Sequence, residues 1–179
     1  MAVPLPTVLI LASGQGARFR AAGGTTHKLQ ARLGERTVLE HTLAAVHDSG
    51  LPWHLEDAGH PGMGDSIAAA VRATAAAAGW LVLPGDLPLV QAATLRSVAA
   101  ALRDHAVVVP VVAGQRGHPV GFAAACGPAL AGLSGPQGAA SVIRAHTPWL
   151  LALDDIGCIT DIDTPADLEA ARLQMQNRP

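Results

Sequence analysis

Two cations and three carboxylates are placed where they could do chemistry. Arg18 and Lys28 flank the small, glycine-bearing end of "TVLILASGQGARFRAAGGTTHKL", residues 7–29, which opens as an apolar run. Glycines let backbone N–H groups approach a phosphate closely, and a neighbouring arginine and lysine neutralise its charge. Asp86 stands in "LVLPGDLPLV", just past a second apolar run, at the strand end where open α/β sheets gather ligands. It is no obvious helix cap, since Pro88 and Leu89 follow. Asp161 and Asp163 stand two apart in "TDIDTP". They are expected on opposite faces if that segment is extended, with only one of them in a given cleft. A pair of carboxylates suits Mg²⁺, which takes oxygen ligands and accepts one or two carboxylates beside phosphates and water.

The glycine stretch has competing readings. A dinucleotide-binding turn wants G-x-G-x-x-G opening a helix directly, with an acid further on; Gly14 and Gly16 are present, but the third position is Phe19 and the acid is missing. The G-K-[ST] of a P-loop is absent. What remains is a loop that wraps a triphosphate, or a plain strand-to-helix turn with solvated cations; spacing leaves both open. "RAAGGTTHK" is a poor helix, and residues 20–27 are expected to order only on a phosphate ligand.

These groups must be held by an alternation of strands and helices. Buried strands are expected at Thr7–Ala12, Trp80–Leu83 and Ala106–Val112, where Pro110 suggests an edge or a bulge. A helix in "TVLEHTLAAVHDSG" stops at Gly50; a second, "DSIAAAVRATAAAAG", is capped by Asp65 or Ser66 and closed by Gly79; a third is "AATLRSVAAAL". Thr164, Pro165 and Asp167 form a capping pattern for a last helix reaching about Gln176. The fold class expected is α/β: one three-layer α/β/α domain over residues 1–179 with a mostly parallel sheet.

Composition narrows the function. Half of the 179 residues are hydrophobic and 3% are aromatic, so the core is aliphatic. A net charge of −2 argues against a nucleic-acid partner. Cys126 and Cys158 make no C-x-x-C pattern, and the eight histidines show no ligand spacing for zinc. "MAVPLPTVLILASG" has no basic leader region and no segment reads as a membrane span, so a cytoplasmic protein is expected.

"LILASGQGARF…HKL" resembles the L-A-[AG]-G-x-G-x-R…K signature of the nucleotidyltransferase-like (GT-A) fold, the Rossmann-like fold of nucleotide-diphospho-sugar transferases. With "HPGMGDSI", "LVLPGDLPLV", "GQRGHPVGF" and "TDIDTPADL" in the same order, the chain resembles the molybdenum cofactor nucleotidyltransferases. "GMG", "RGHPVGF" and "LASG" look more like the molybdopterin cytidylyltransferases than the guanylyltransferases, which usually carry L-A-G-G.

The resemblance implies transfer of CMP, or else GMP, from CTP or GTP to a molybdopterin-type cofactor, with Mg²⁺ or Mn²⁺ and release of pyrophosphate. It implies a nucleotide site at Leu11, Ala12, Ser13, Gly14, Gly16, Arg18, Lys28, Gly64, Ser66, Pro84 and Gly85. Arg18, Lys28 and Asp86 would be catalytic, Asp86 and Asp161 would hold the metal with Asp163 in reserve, and Arg116 and His118 would line the acceptor pocket. Gly62 and Gly64 would let a loop pass near the base or ribose, and Ser66 would contact the nucleotide or cap its helix. A molybdenum enzyme or its maturation factor would be the protein partner. Leu51–Pro61 is short for the family, with room for one strand near Trp53–Leu55 at most. That motivates an alternative: a non-catalytic molybdenum-cofactor binding or insertion factor that kept the fold. A nicotinamide-dependent oxidoreductase is a third reading, disfavoured by Phe19 and the missing acid.

Overall fold

The computed structural model describes residues 4–177, so Met1–Val3 and the last two residues of the expected domain lie outside the described residues. The strands are β1 (Thr7–Leu11), β2 (Arg32–Leu33), β3 (Arg36–Thr37), β4 (Trp53–Glu56), β5 (Gly79–Pro84), β6 (Val107–Val112), β7 (Gln115–Arg116), β8 (Val120–Ala123) and β9 (Trp149–Ala152). The helices are α1 (Ala17–Ala21), α2 (Val38–Ser49), α3 (Met63–Ala73), α4 (Ala92–Ala101), α5 (Gly127–Ala131), α6 (Ala140–Arg144) and α7 (Pro165–Gln176). Seven strands form one sheet in the order β4-β1-β5-β8-β6, with β7 and β9 also paired to β6; β2 and β3 make a separate hairpin. β4, β1 and β5 are mutually parallel, β8 runs antiparallel to β5 and β6, and β9 is parallel to β6.

Strand alternation sends side chains to two faces, and the core divides accordingly. Val8, Ile10, Leu81, Leu83 and Val108 pack with Val46 of α2 and with Leu95 and Val98 of α4. Leu9, Trp80, Val82, Val107 and Val109 pack with Ile67 and Val71 of α3, Leu130 of α5 and Val142 of α6. This is a three-layer arrangement, and the near-continuous apolar strands reflect burial on both sides. A third cluster, Phe19, Leu29, Leu33, Val38, Leu89, Ile162 and Leu168, lies under the glycine stretch.

Pro110 marks a bulge, not an edge. Val111 pairs with Arg116 and Val108 with Gly121, so β7 and β8 lie on the same side of β6, out of step by two residues. Gly117 donates its N–H to the Pro110 carbonyl within that bulge, where the ladder tolerates a residue lacking its own N–H. β9 pairs along the other side of β6.

The second helix departs from expectation at both ends. α3 begins at Met63, after an extended Gly62. Asp65 accepts from the Gly135 N–H instead of capping, and the Ser66 hydroxyl donates to the Gly62 carbonyl. The helix ends at Thr74, not Gly79: the Thr74 hydroxyl donates to Ala70 and accepts from Trp80 Nε1, turning the alanine run off the helix axis into β5. α2 and α7 both carry complete capping boxes, Thr37 with Glu40 and Thr164 with Asp167.

Candidate active site

The loops leaving β1, β4 and β5 at their carboxyl ends enclose one cleft of about 760 Å³, walled on its far side by the bulge at 117–118 and by the 158–163 segment. Leu11, Ser13, Gly14, Gly16, Arg18, Lys28, Ser66, Pro84, Asp86, Arg116, His118, Asp161 and Asp163 all line it. Ala12, Gly64 and Gly85 do not. Ala12 packs against the third cluster. Gly64 is held by the protein's own chain: its N–H donates to Gly135, and a side chain there would strike the Ser134 carbonyl at 2.8 Å. A side chain at Gly62 would strike Gly135 in the same way. The loop these glycines admit is therefore 134–135. Gly85 donates to the Leu11 carbonyl and joins the ends of β1 and β5.

Gly16, at φ 63, is the left-handed residue that starts α1 and lifts the chain out of the sheet plane. Phe19 is buried in the third cluster and anchors that short helix. Arg18 on its outer face has an 81% exposed side chain, with Nη1 2.9 Å from Asp163 Oδ2. Lys28 is its opposite: its side chain is 14% exposed, with Nζ 2.6 Å from Asp86 Oδ2 and 2.9 Å from Asp163 Oδ1. Burial alone would lower the Lys28 pKa, but the Asp86 charge and the hydrogen bonds to Asp86 and Asp163 outweigh it and raise the pKa.

Asp86, Asp161 and Asp163 each offer an oxygen within 4.8 Å of the others'. The expectation that only one of the last two faces the cleft is corrected here. Residues i and i+2 of extended chain share a face, and it is Ile162 between them that turns inward, fully buried. Burial, then the nearby Asp163 and Asp86 charges, push the Asp161 pKa up. Asp86 Oδ1 is buried with no hydrogen-bond partner among the described residues. An unsatisfied buried carboxylate oxygen beside two further carboxylates is a hard donor set of the kind Mg²⁺ or Mn²⁺ takes.

The acidic segment is tied down by groups the sequence analysis did not single out. Asp155, buried, accepts from the Gln91 and Gly157 N–H groups, from the Thr94 hydroxyl and, at 3.7 Å, from the Cys158 thiol. Burial and Asp155 push the Cys158 pKa up to about 12, so the thiol stays protonated. The Cys158 carbonyl accepts from His118 N–H, and Asp86 O accepts from Ile162 N–H. Burial also lowers the His118 pKa against the pull of Asp86, favouring a neutral ring.

Two histidines were also missed. His27 donates Nε2–H to the Gly14 carbonyl at 2.5 Å and accepts the Leu29 N–H on Nδ1 at 3.3 Å, so one neutral tautomer pins the glycine turn to the Lys28 segment. His60, on the cleft wall, donates to buried Glu56, which also accepts from His54. Nothing local in sequence marks these pairs. The Glu56 carbonyl in turn accepts from Ala12 N–H and the Ser13 hydroxyl, so β4 braces the start of the glycine turn.

A glycine turn, two cations and three carboxylates at one sheet edge narrow the possible families, and sequence comparison decides. Residues 43–149 match the model of the MobA-like NTP transferase domain. The chain belongs to this family. No curated protein sequence matches it. The fold of this MobA-like transferase is shared with Rv0371c from Mycobacterium tuberculosis H37Rv, at 24% identity and TM-score 0.79 over 97% of this chain and 100% of that one. A complex of Rv0371c with manganese aligns at 22% identity and TM-score 0.69, over 93% and 97%. A nucleotidyl transferase from Methanothermobacter thermautotroptrophicus aligns at 20% identity and TM-score 0.76, over 96% and 98%. Molybdopterin-guanine dinucleotide biosynthesis protein A from Archaeoglobus fulgidus aligns at 17% identity and TM-score 0.70, over 96% and 100%. The family carries nucleotidyl transfer as its chemistry. No helix among the described residues is long and apolar enough to cross a membrane.

Proposed function

We propose that this transferase moves a nucleotidyl group, CMP in preference to GMP, from the triphosphate to a molybdopterin-type phosphorylated pterin, with Mg²⁺ or Mn²⁺. The observation that carries this reading is the meeting of Lys28 and Arg18 with Asp86, Asp161 and Asp163 beside the Gly14–Gly16 turn in one cleft. The manganese complex of the structural neighbour supports a divalent cation, and "LASG" with "GMG" supports cytosine.

The chain supplies no nucleophile. The acceptor's terminal phosphate oxygen attacks the α-phosphorus, the bond from that phosphorus to the β-bridging oxygen breaks, and pyrophosphate leaves. The Gly14–Gly16 backbone and Arg18 bind the triphosphate, and Lys28 neutralises charge that builds on the leaving group. Asp86, Asp161 and Asp163 would hold the cation, which supplies further charge neutralisation when bound. Arg116 on the rim and neutral His118 in the bulge orient the acceptor.

The non-catalytic alternative rested on a pocket wall weakened by the short Leu51–Pro61 segment. β4 forms in full within it and braces the glycine turn, so no observation favours that reading. The test is pyrophosphate release from each NTP with Mg²⁺ and molybdopterin. The expected order is CTP above GTP; a preference for GTP reverses the base assignment, and no release with any NTP overturns the reading.

A further inference from the structure

We propose that Lys28 is a built-in occupant of the cation position, so that the divalent metal enters together with the triphosphate that draws Lys28 away. The inference rests on the nucleotidyl-transfer reading and adds an order of binding to it. Lys28 Nζ bridges Asp86 and Asp163 at 2.6 and 2.9 Å, among carboxylate oxygens that lie within 4.8 Å of one another. An ammonium so placed uses the oxygens a cation would use, and two cations in that space repel. Asp86 Oδ1, buried and without a hydrogen-bond partner among the described residues, is the oxygen an ammonium on Oδ2 leaves unsatisfied. With Lys28 in place, three carboxylates face two cations, Lys28 and Arg18, and a divalent ion arriving alone meets a site already largely neutralised. A triphosphate brings its own negative charge to the Gly14–Gly16 turn. It competes for Lys28 and for exposed Arg18, and it returns Asp86 and Asp163 to the metal. Metal and nucleotide then bind with positive coupling, each removing the obstacle to the other.

The test is Mn²⁺ binding to the purified full chain, read by the electron paramagnetic resonance of unbound Mn²⁺, with and without α,β-methylene-CTP. Lys28→Met and Lys28→Gln should bind Mn²⁺ alone at least about tenfold more tightly than wild type, a difference of about 1.4 kcal/mol. Lys28→Arg, which keeps the charge, should stay weak. The analogue should tighten Mn²⁺ binding far more in wild type than in the neutral variants. Two neutral variants, each checked by thermal melting, keep the test open if one fails to fold. Equal or weaker Mn²⁺ affinity in the folded neutral variants overturns the inference. If wild type still releases pyrophosphate in that case, this inference alone falls. If no form binds Mn²⁺ and no NTP yields pyrophosphate, the nucleotidyl-transfer reading falls with it.

Discussion

The cleft is built from two unlike halves. The cationic half, residues 12–28, is a turn tied at its ends, by Ala12 and Ser13 to the Glu56 carbonyl and by Lys28 to Asp86 and Asp163, with His27 on Gly14, Phe19 in the third cluster and an exposed Arg18 on Asp163 between them. The acidic half, residues 155–164, is bolted to α4 by Asp155, to the 117–118 bulge by Cys158, to Asp86 by Ile162 and to α7 by a capping box. The difference suits the proposed reaction. Groups that hold a metal must not drift, whereas groups that embrace a triphosphate must open to admit it.

The largest expected effect is on the rigid half's chemistry. Asp86→Asn removes charge and little volume, so it should leave the melting temperature near wild type and lower pyrophosphate release by at least about 100-fold, roughly 3 kcal/mol. Near-normal turnover at modest Mg²⁺ would remove Asp86 from the metal site. Its rigidity is the next target. Asp155→Ala strands buried donors from Gln91, Thr94 and Gly157 and should cost about 3 kcal/mol, read as a lower urea midpoint. An unchanged midpoint would mean that the acidic half is held by something else.

The cationic half should respond to ligand. Hydrogen exchange across residues 20–27 should slow on adding NTP with Mg²⁺, and Lys28→Ala should lower turnover more than Lys28→Arg. Unchanged exchange with every NTP makes the stretch a plain connection. A smaller effect is expected at His27, whose replacement by alanine removes a hydrogen bond of about 1 kcal/mol and should raise the KM for NTP about fivefold with kcat little changed; a fall in kcat alone would place His27 outside nucleotide binding.

The contrast also explains what could be read in advance. α7 announces itself by its capping box, α2 by its Gly50 stop, and β1, β5 and β6 by apolar runs, because those signals are local; the Thr37–Glu40 box of α2 is equally local but is not part of the sequence reading. Arg18, Lys28 and Asp86 stand out for the same reason. Asp155, His27 and Glu56 act through bonds to distant backbone or through buried partners, and no spacing reveals that. α5 and α6 are five residues each and lack side-chain caps, so only Pro128 in the first turn of α5 marks a start. Asp161 and Asp163 face one cleft because alternate residues of extended chain share a face, the opposite of what a split pair requires.

The smallest effect lies at the brace behind the glycine turn. Burial pushes the Glu56 pKa up, but hydrogen bonds from His60 and His54 outweigh this and hold it below the usual carboxylate range. A depressed folded pKa means stability that is fully present above about pH 4.3 and lost as pH falls through the folded value. Glu56→Gln should therefore flatten the acid limb of stability against pH; an identical limb would show that Glu56 carries no such share.

The central claim is that the nucleotide's α-phosphoryl group, with its nucleoside, is what moves. With Mg²⁺ and molybdopterin, CTP labelled with ³²P at the α-position should place its label in the pterin product, and CTP labelled at the γ-position should place its label in pyrophosphate. Label from the γ-position in the pterin, or α-label retained in free CDP, would contradict it.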